Sequence, residues 1–400
     1  MKIQTFDSYP RKDGRKGIRN LILVAYTVEC AHHVAREIVY PFRVHGVNLI
    51  GFGGCAPNAY ANDMMKKLCT HPNVGAVLLI SLGCENMDKL AIMRQVRESG
   101  RPVHLLTIQK TGGTRQTIAE GQKWVRQELS MLQQAKKVAM SLEEIIVGTI
   151  CGGSDATSGL TANPAIGKAF DILVSSGATA IFEETGELIG CESSMCERTL
   201  NNHVRDDIMS TMRKTVSYYQ HMGYSSFSVG NSDGGLSTIE EKSLGAYSKS
   251  GTAPITGLLK PGELPSEKGL YLLDVIPDGD PRFGWPNIND NAEIVELIAC
   301  GSHVILFSTG RGSVVGSAIS PVIKVCANPE TYDRMREDMD INAGKILKGD
   351  ATLEEVGEEI CSWVYEVVSG KQTASEALGH QEFVLTYKQF DEREPACLVR

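Results

Sequence analysis

The chain is short of several features that would each have fixed its class. Its amino terminus, MKIQTFDSYPRKDGRKG, contains no apolar core segment and does not read as a secretory signal. No apolar run approaches the roughly 20 residues a membrane helix requires. CxxC pairs are absent, which argues against a structural zinc ribbon. Positive charge is in deficit, with a formal net charge of −8, so general nucleic-acid binding is not expected. Anionic small molecules remain open, because a few local Arg and Lys residues hold a carboxylate whatever the total charge. No internal repeat, coiled coil or low-complexity tract is present. The eleven cysteines are odd in number and scattered, unlike a secreted disulfide framework. In a reducing cytosol they would be free thiols or ligands. The tail Cys397-Leu-Val-Arg ends in Arg, which suits a prenylation box poorly. The expectation is a cytoplasmic protein with neither membrane nor nucleic acid as partner.

What is present is an alternation of short apolar runs and amphipathic stretches. Apolar runs without period-2 alternation at Asn20–Ala25, Val47–Gly51, Val74–Ser81 and Val103–Thr107 read as strands buried on both faces. Helical stretches separate and follow them, at 31–40, 58–69, 87–98 and 114–137. Strict β/α alternation predicts a doubly wound parallel sheet over residues 1–140. Residues 136–143 read as a link, and a second α/β domain is expected over 141–400. It begins with strand 144–149 and a helix introduced by Asn163-Pro164, Pro being well placed in a first helical turn. Strands are predicted near 178–182, 269–275, 304–307 and 322–325. One long helix is expected over 194–222, ending at Gly223, and another at 353–368. The fold class is therefore α/β, with two successive α/β domains.

CGGSDATSGLTANPAIG (151–167) is the most loaded stretch. Its small residues allow a ligand close to the backbone, and free N–H groups at a helix start can form an anion nest. Ser154, Asp155, Thr157, Ser158 and Asn163 offer partners for a polyhydroxy acid; the plain alternative is a capped strand-to-helix turn. The stretch lacks the spacing of a dinucleotide or phosphate loop. In FSTGRGS (307–313), Arg311 stands between glycines where a guanidinium can clamp a carboxylate, or simply be solvated. In GNSDGGLSTIEEKSLG (230–245), Lys242 is a candidate carboxylate ligand or, with a lowered pKa, a base. Solvated charge at a helix start is the commoner explanation there, and also for Glu183, Glu184 and Glu187.

Cys69, Cys300, Cys326 and Cys361 fit the usual role of cysteine as a small buried hydrophobe. Cys30, Cys55, Cys84 and Cys151 differ, because each follows a predicted strand. Ligands of open α/β sheets bind beyond the carboxyl ends of the strands, so these thiols can gather at a site. His32 and His33 follow Cys30, with a helix-surface role as the alternative. Cys191 and Cys196 are spaced CxxxxC, a weak metal pattern.

Taken in order, RKDGRKGIRN, SLGCEN, CGGSDATSGLTANPAIG, GGLSTIEEKSLG, STGRGS, PVIKVCAN and DMDINAG resemble the altronate/galactarate dehydratase family over nearly the whole chain. The resemblance implies a hydro-lyase that removes water from sugar acids with the help of iron (as Fe2+ or an iron–sulfur cluster) or another divalent ion such as Mn2+. Full-length sugar-acid dehydratases carry an extra small SAF-type domain ahead of the matched part. The chain starts at the lead-in to the first α/β domain, which implies a separately encoded small SAF-domain subunit and a heteromeric oligomer. SVGNSDGG departs from the sugar-acid pattern, approximately NPSPGNKAGG. That loop, FEETGELIG and ASEALGHQEFVLT look more like the large (beta) subunit of sulfolactate sulfo-lyase, whereas Cys55 and GCEN look like the dehydratase branch.

Either branch implies β-elimination. The proton beside the carboxylate is removed, water or sulfite leaves the next carbon, and the enol becomes a 2-keto acid. Because that proton is weakly acidic, cations or a metal must stabilise the developing enediolate. The resemblance thus sets out an expected site. Lys242 and Asp155 are its candidate catalytic groups. Ser154, Thr157, Asn163, Arg311 and Lys324 bind the substrate, and Cys30, Cys55 and Cys84 bind the metal. A non-catalytic metal-binding chain is the reading from a different class.

Overall fold

The computed structural model describes residues 5–223, 226–278 and 289–388. The Cys397 tail lies outside them. Two compact units are present. One comprises 7–138 with the described parts of 277–295 and 381–400; the other comprises 5–6, 139–276 and 296–380. The chain passes from one unit to the other at 138/139. The described residues of 277–295 and 381–388 group with the earlier unit.

In the earlier unit, β1 (Thr5–Pro10) and β2 (Lys16–Gly17) pair antiparallel, with Tyr9 opposite Gly17. β3 (Leu21–Tyr26), β4 (Val47–Gly51), β5 (Val74–Ser81) and β6 (Val103–Thr107) form a parallel sheet in the order β4-β3-β5-β6. Every residue of β5 is buried. That is why its apolar run is continuous rather than alternating. Helix His32–Val39 packs on Thr114–Leu132, and Ala59–Cys69 packs on Lys89–Glu98.

The basic lead-in serves the turn before β5. Arg11 donates to the carbonyls of Pro72 and Arg19 and to Asn20 Oδ1, and Arg15 donates to the Thr70 carbonyl. Arg101 donates to the carbonyls of Val74 and His71. Guanidinium groups here satisfy backbone that has left the ladder. Burial, then the neighbouring Arg101, pushes Arg11 down to about 9.

At the carboxyl edge of the same sheet the organising group is Glu85, whose side chain is fully buried. It accepts from Thr27 Oγ1 at 2.6 Å, Ser81 Oγ at 2.5 Å and the Gly83 N–H at 2.8 Å, and pairs with Lys89 at 3.1 Å. Burial alone would raise its pKa, but the hydroxyls of Ser81 and Thr27 and the Gly83 N–H outweigh it and hold it down at about 2. The loops after β3 and β5 are thereby tied together.

The later unit begins as β7 (Val138–Ser141) gives way to β8 (Ile146–Cys151). β9 (Thr179–Phe182), β10 (Ile255–Leu259), β11 (Leu270–Leu273), β12 (Val304–Thr309), β13 (Val322–Cys326) and β14 (Ile341–Asn342) complete it. The sheet is parallel throughout, in the order β10-β11-β9-β8-β12-β13-β14. Chain order reverses between β8 and β12. β8 leads away to β9 on one side and β12 to β13 on the other. Helix Leu353–Val368, closed by a Thr352/Glu355 capping box, packs on helix Ala162–Ser175.

The single helix expected over 194–222 is two. Glu192–Cys196 stops, Thr199 bridges to Ile255 of β10, and Asn201 caps a new helix, Asn202–Met222. The gain of a backbone bridge outweighs helical continuity over residues 197–201. The end at Gly223 is as expected, in the left-handed conformation with φ 73°. β10 and helix Asp290–Ala299 were not anticipated. Among the described residues no helix is long and apolar enough to cross a membrane.

Replacing Glu85 by Gln removes an ionised acceptor from three buried donors. E85Q is expected to destabilise the protein by about 1.5–3 kcal/mol at neutral pH in urea unfolding. Because the folded-state pKa is depressed, Glu85 contributes stability above its unfolded pKa near ~4.3 and loses it as pH falls toward about 2. The acid limb of the stability profile should flatten correspondingly in E85Q.

Candidate functional site

The later sheet brings three loops together at its carboxyl edge. The turn after β8 lies against the turn after β12, with Gly152 N–H on the Ser308 carbonyl and both Gly310 and Arg311 N–H on the Gly153 carbonyl. The segment after β9 supplies Glu184 and Glu187. Opposite them stands helix Ile239–Ser248, capped by Thr238. Its close approach depends on paired glycines, since a Cβ on Gly159 would lie 3.1 Å from the Gly245 Cα.

Five ionisable side chains converge there. The Cys151 N–H donates to Glu184 Oε1 at 2.7 Å. Cys151 Sγ lies 3.4 Å from Glu184 Oε2, 3.4 Å from Glu187 Oε2 and 3.3 Å from Ser154 Oγ. Lys249 pairs with Glu184 Oε1, and Lys242 with Glu187 Oε1. Lys242 also donates to the Ser226 carbonyl at 2.6 Å and Asn231 Oδ1 at 3.2 Å. Glu184, Lys249, Cys151 and Lys242 are buried and Glu187 is half-buried. Cys151, Glu187 and Lys242 line a cavity of about 270 Å³ with Ser154, Asp155 and Asn163, whereas Glu184 and Lys249 stand behind it. Leu160 and Leu244, more than half exposed, also line it.

The environment drives the two carboxylates apart. Burial pushes Glu184 well above the usual range, against the pull of Lys249. Burial also acts on Glu187, but the combined charges of Lys242 and Lys249 and hydrogen bonds from its neighbours hold it low. Burial, then Glu184 and Glu187, pushes the Cys151 thiol well up, so it keeps its proton. Burial would lower Lys242, but the Glu187 carboxylate outweighs it, and the ammonium stays charged. With both glutamates ionised, the two carboxylates, two ammonium groups and neutral thiol would sum to zero charge.

This arrangement suits a metal ion. Among the described residues, Cys151, Glu184 and Glu187 are the one His/Cys/Asp/Glu set whose donor atoms all lie within 4.8 Å of one another. A single S–H can donate to only one of the two carboxylate oxygens it faces. A divalent ion in place of that proton would meet all three atoms while each lysine kept its own carboxylate oxygen.

The expected site residues divide. Ser154, Asp155, Asn163 and Lys242 line the cavity together. Asn163 Nδ2 donates to the Gly245 carbonyl and its Oδ1 accepts from Ser308 Oγ. Asp155 is already well supplied, accepting from Thr157 N–H, Thr157 Oγ1, Ser158 Oγ and Asn328 Nδ2. Thr157 therefore holds Asp155 and is not in the lining. Arg311 is exposed, outside the lining, and donates to the Gly230 carbonyl. Lys324 is fully buried on β13, 3.4 Å from His380 Nδ1 and away from the lining.

In the turn that opens 151–167, the N–H groups of Cys151, Gly152, Asp155, Ala156, Thr157 and Ser158 are used internally, reaching Glu184, Ser308, Ser158, Gly234 and Asp155. Cys30, Cys55 and Cys84 are free, exposed thiols of the other unit, not all within 4.8 Å of one another. Lys249 was missed, since nothing in AYSKSG marks a lysine for burial. The one available signal was its place after a helix carrying Lys242.

Two family models match the chain. One, D-galactarate dehydratase/altronate hydrolase second domain, covers residues 8–135. The other, D-galactarate/altronate dehydratase C-terminal, covers 142–390. The beta subunit of (2R)-sulfolactate sulfo-lyase from Chromohalobacter salexigens is 33% identical over 96% of this chain and 98% of its own length. Altronate dehydratase of Bacillus subtilis is 30% identical, over 96% of this chain and 77% of its own. Galactarate dehydratase (L-threo-forming) of Escherichia coli is 32% identical, over 92% and 73%.

Removing one partner of a buried ion pair leaves an uncompensated charge. K249M is expected to cost about 3–5 kcal/mol in urea unfolding. The E184Q/K249M double variant should recover a large part of that loss, giving a coupling energy well above about 1 kcal/mol in the double-mutant cycle.

Proposed function

This chain belongs to the D-galactarate/altronate dehydratase family, and we propose that it is a metal-dependent lyase that removes water from a sugar acid by β-elimination. The observation that carries this reading is the Cys151–Glu184–Glu187 donor set beside a cavity that also presents Lys242, Ser154 and Asn163. The proton beside the substrate carboxylate is removed, the hydroxyl on the next carbon leaves as water, and the enol becomes a 2-keto acid.

Cys151 Sγ and one oxygen each of Glu184 and Glu187 would hold the metal. A thiolate with two carboxylates suits a borderline divalent ion, and iron as Fe2+ is the assignment, with Mn2+ as the alternative. When bound, the ion supplies a Lewis acid for the substrate carboxylate. Lys242, kept protonated by Glu187, faces the cavity as a cation and stabilises enediolate charge, a role that suits it better than that of base. Ser154 and Asn163 orient substrate hydroxyls. Asp155 shapes the loop, and Glu184 with Lys249 fixes the position of Cys151. Arg311 and Lys324 take no direct part in gripping the substrate. The partner is a separately encoded small subunit of SAF type, in keeping with a relative that is by name one subunit of a larger enzyme.

A second reading has sulfite as leaving group and sulfolactate as substrate. It is favoured by the match to the sulfo-lyase subunit over 98% of that protein's length.

The deciding experiment is an anaerobic substrate panel with Fe2+ and the small partner added. The expected outcome is 2-keto acid from altronate or galactarate, lowered by at least about 100-fold in C151S and E187Q. Sulfite from sulfolactate without turnover of either sugar acid would establish the second reading, and no product from any substrate would favour a non-catalytic chain. Metal binding must also displace the Cys151 proton, so affinity should rise by about tenfold per pH unit from pH 6 to 8, and C151S should lose that slope.

A further inference from the structure

We propose that Cys30, Cys55 and Cys84 hold an iron–sulfur cluster at the carboxyl edge of the four-stranded sheet, a centre separate from the Cys151 donor set. The topology picks out this edge. β3 and β5 are neighbours, yet the helix after β3 leads to β4 on one side and the helix after β5 leads to β6 on the other. Ligands of doubly wound sheets bind at such a reversal of strand order. Cys30 and Cys84 sit in the two loops that flank it, and Cys55 sits in the loop after the adjoining β4.

Specific bonds tie these three loops to one another. Glu85 joins the first two through Thr27 at 2.6 Å and Gly83 at 2.8 Å. The Asn86 N–H donates to the Cys55 carbonyl at 2.8 Å, joining the loops after β4 and β5. The Phe52 N–H donates to the Tyr26 carbonyl at 3.1 Å, joining those after β3 and β4. The segment 381–388 adds support from outside, with Tyr387 edge-on to Phe52 and Asn58 Nδ2 on the Lys388 carbonyl.

Exposure separates this trio from the rest. Among the described cysteines these three are exposed, whereas Cys69, Cys151, Cys191, Cys300 and Cys326 are buried and Cys196 and Cys361 half-buried. Ordinary packing explains the second group and not the first.

Spacing argues against a single ion. Thiolates about 2.3 Å from one tetrahedral ion stand roughly 3.8 Å apart. The three donors here do not all lie within 4.8 Å. A cluster places each cysteine on a different iron, so its ligands stand farther apart than those of one ion. Three thiols, each losing its proton on ligation, would fill three corners of a four-iron cluster and leave one iron without a protein thiolate.

The test is spectroscopic and needs no turnover, so it stands or falls apart from the lyase reading. The full chain is purified anaerobically, or reconstituted with iron and sulfide, and assayed for iron, acid-labile sulfide and visible absorbance. Roughly equal iron and sulfide with a broad band near ~400 nm is expected. C30S, C55S and C84S should each lower that band by about tenfold or more, while C69S and C151S retain it. Thermal melting of each variant separates loss of the centre from loss of the fold. Iron without labile sulfide, a bound zinc ion, a band that survives in the three variants, or three thiols still freely titratable after reconstitution would each overturn the proposal.

Discussion

Burying Glu184 at the end of β9 commits the later unit to neutralising it. An isolated carboxylate in that position would be costly by several kcal/mol. Lys249 meets the demand, and Lys249 in turn needs the turn 248–251 pressed against helix Ala162–Ser175. That contact exists because residue 167 is glycine: a Cβ there would collide with the Ser248 carbonyl and lie 3.0 Å from the Gly251 N–H. The same turn ends the helix that carries Lys242, so the second ammonium group follows from placing the first. Cys151 is then held by its own N–H on Glu184, with its sulfur facing both carboxylates. Charge neutrality, glycine packing and the position of the thiol are thus parts of one solution.

The two units repeat a theme with different chemistry. Each has a parallel sheet with a reversal of strand order, β3/β5 in one and β8/β12 in the other. Each places cysteine in a loop beside that reversal, and each holds its loops with a buried glutamate. Glu85 is stabilised by hydroxyls and an N–H and stays ionised. Glu184 sits among charges and is pushed the other way. The difference follows from what opposes burial at each carboxylate: hydroxyls and an N–H outweigh it at Glu85, whereas at Glu184 burial and the neighbouring carboxylates prevail over Lys249.

Much of the fold was legible because parallel strands buried on both faces are written as uninterrupted apolar runs. β4, β5, β6 and helix Leu353–Val368 match their sequence expectations residue for residue. The break at 197–201 was not legible, because it depends on a bridge to Ile255, far along the chain. β10 was missed for a similar reason, since ITGLL is short and contains glycine, a weak strand signal until β11 stands beside it. The ordered motifs pointed to the family. At the site, Ser154, Asn163 and Lys242 lie on the cavity, while Arg311 between its glycines spends its guanidinium on the Gly230 carbonyl.

By itself the sequence determined the α/β class, the strand ends that carry cysteine, and the motifs shared with sugar-acid dehydratases. These are local properties, set by hydrophobic periodicity and residue type. Which charged residues are buried was decided by the tertiary structure alone. FEETGE reads as a solvated acidic turn and AYSKSG as an ordinary helix end. Burial and pairing are properties of what packs against a residue, and Glu184 meets Lys249 only after the chain between them has folded through helices Glu192–Cys196, Asn202–Met222 and Ile239–Ser248. The exposure of Cys30, Cys55 and Cys84, and the enclosure of Cys151, were settled in the same way.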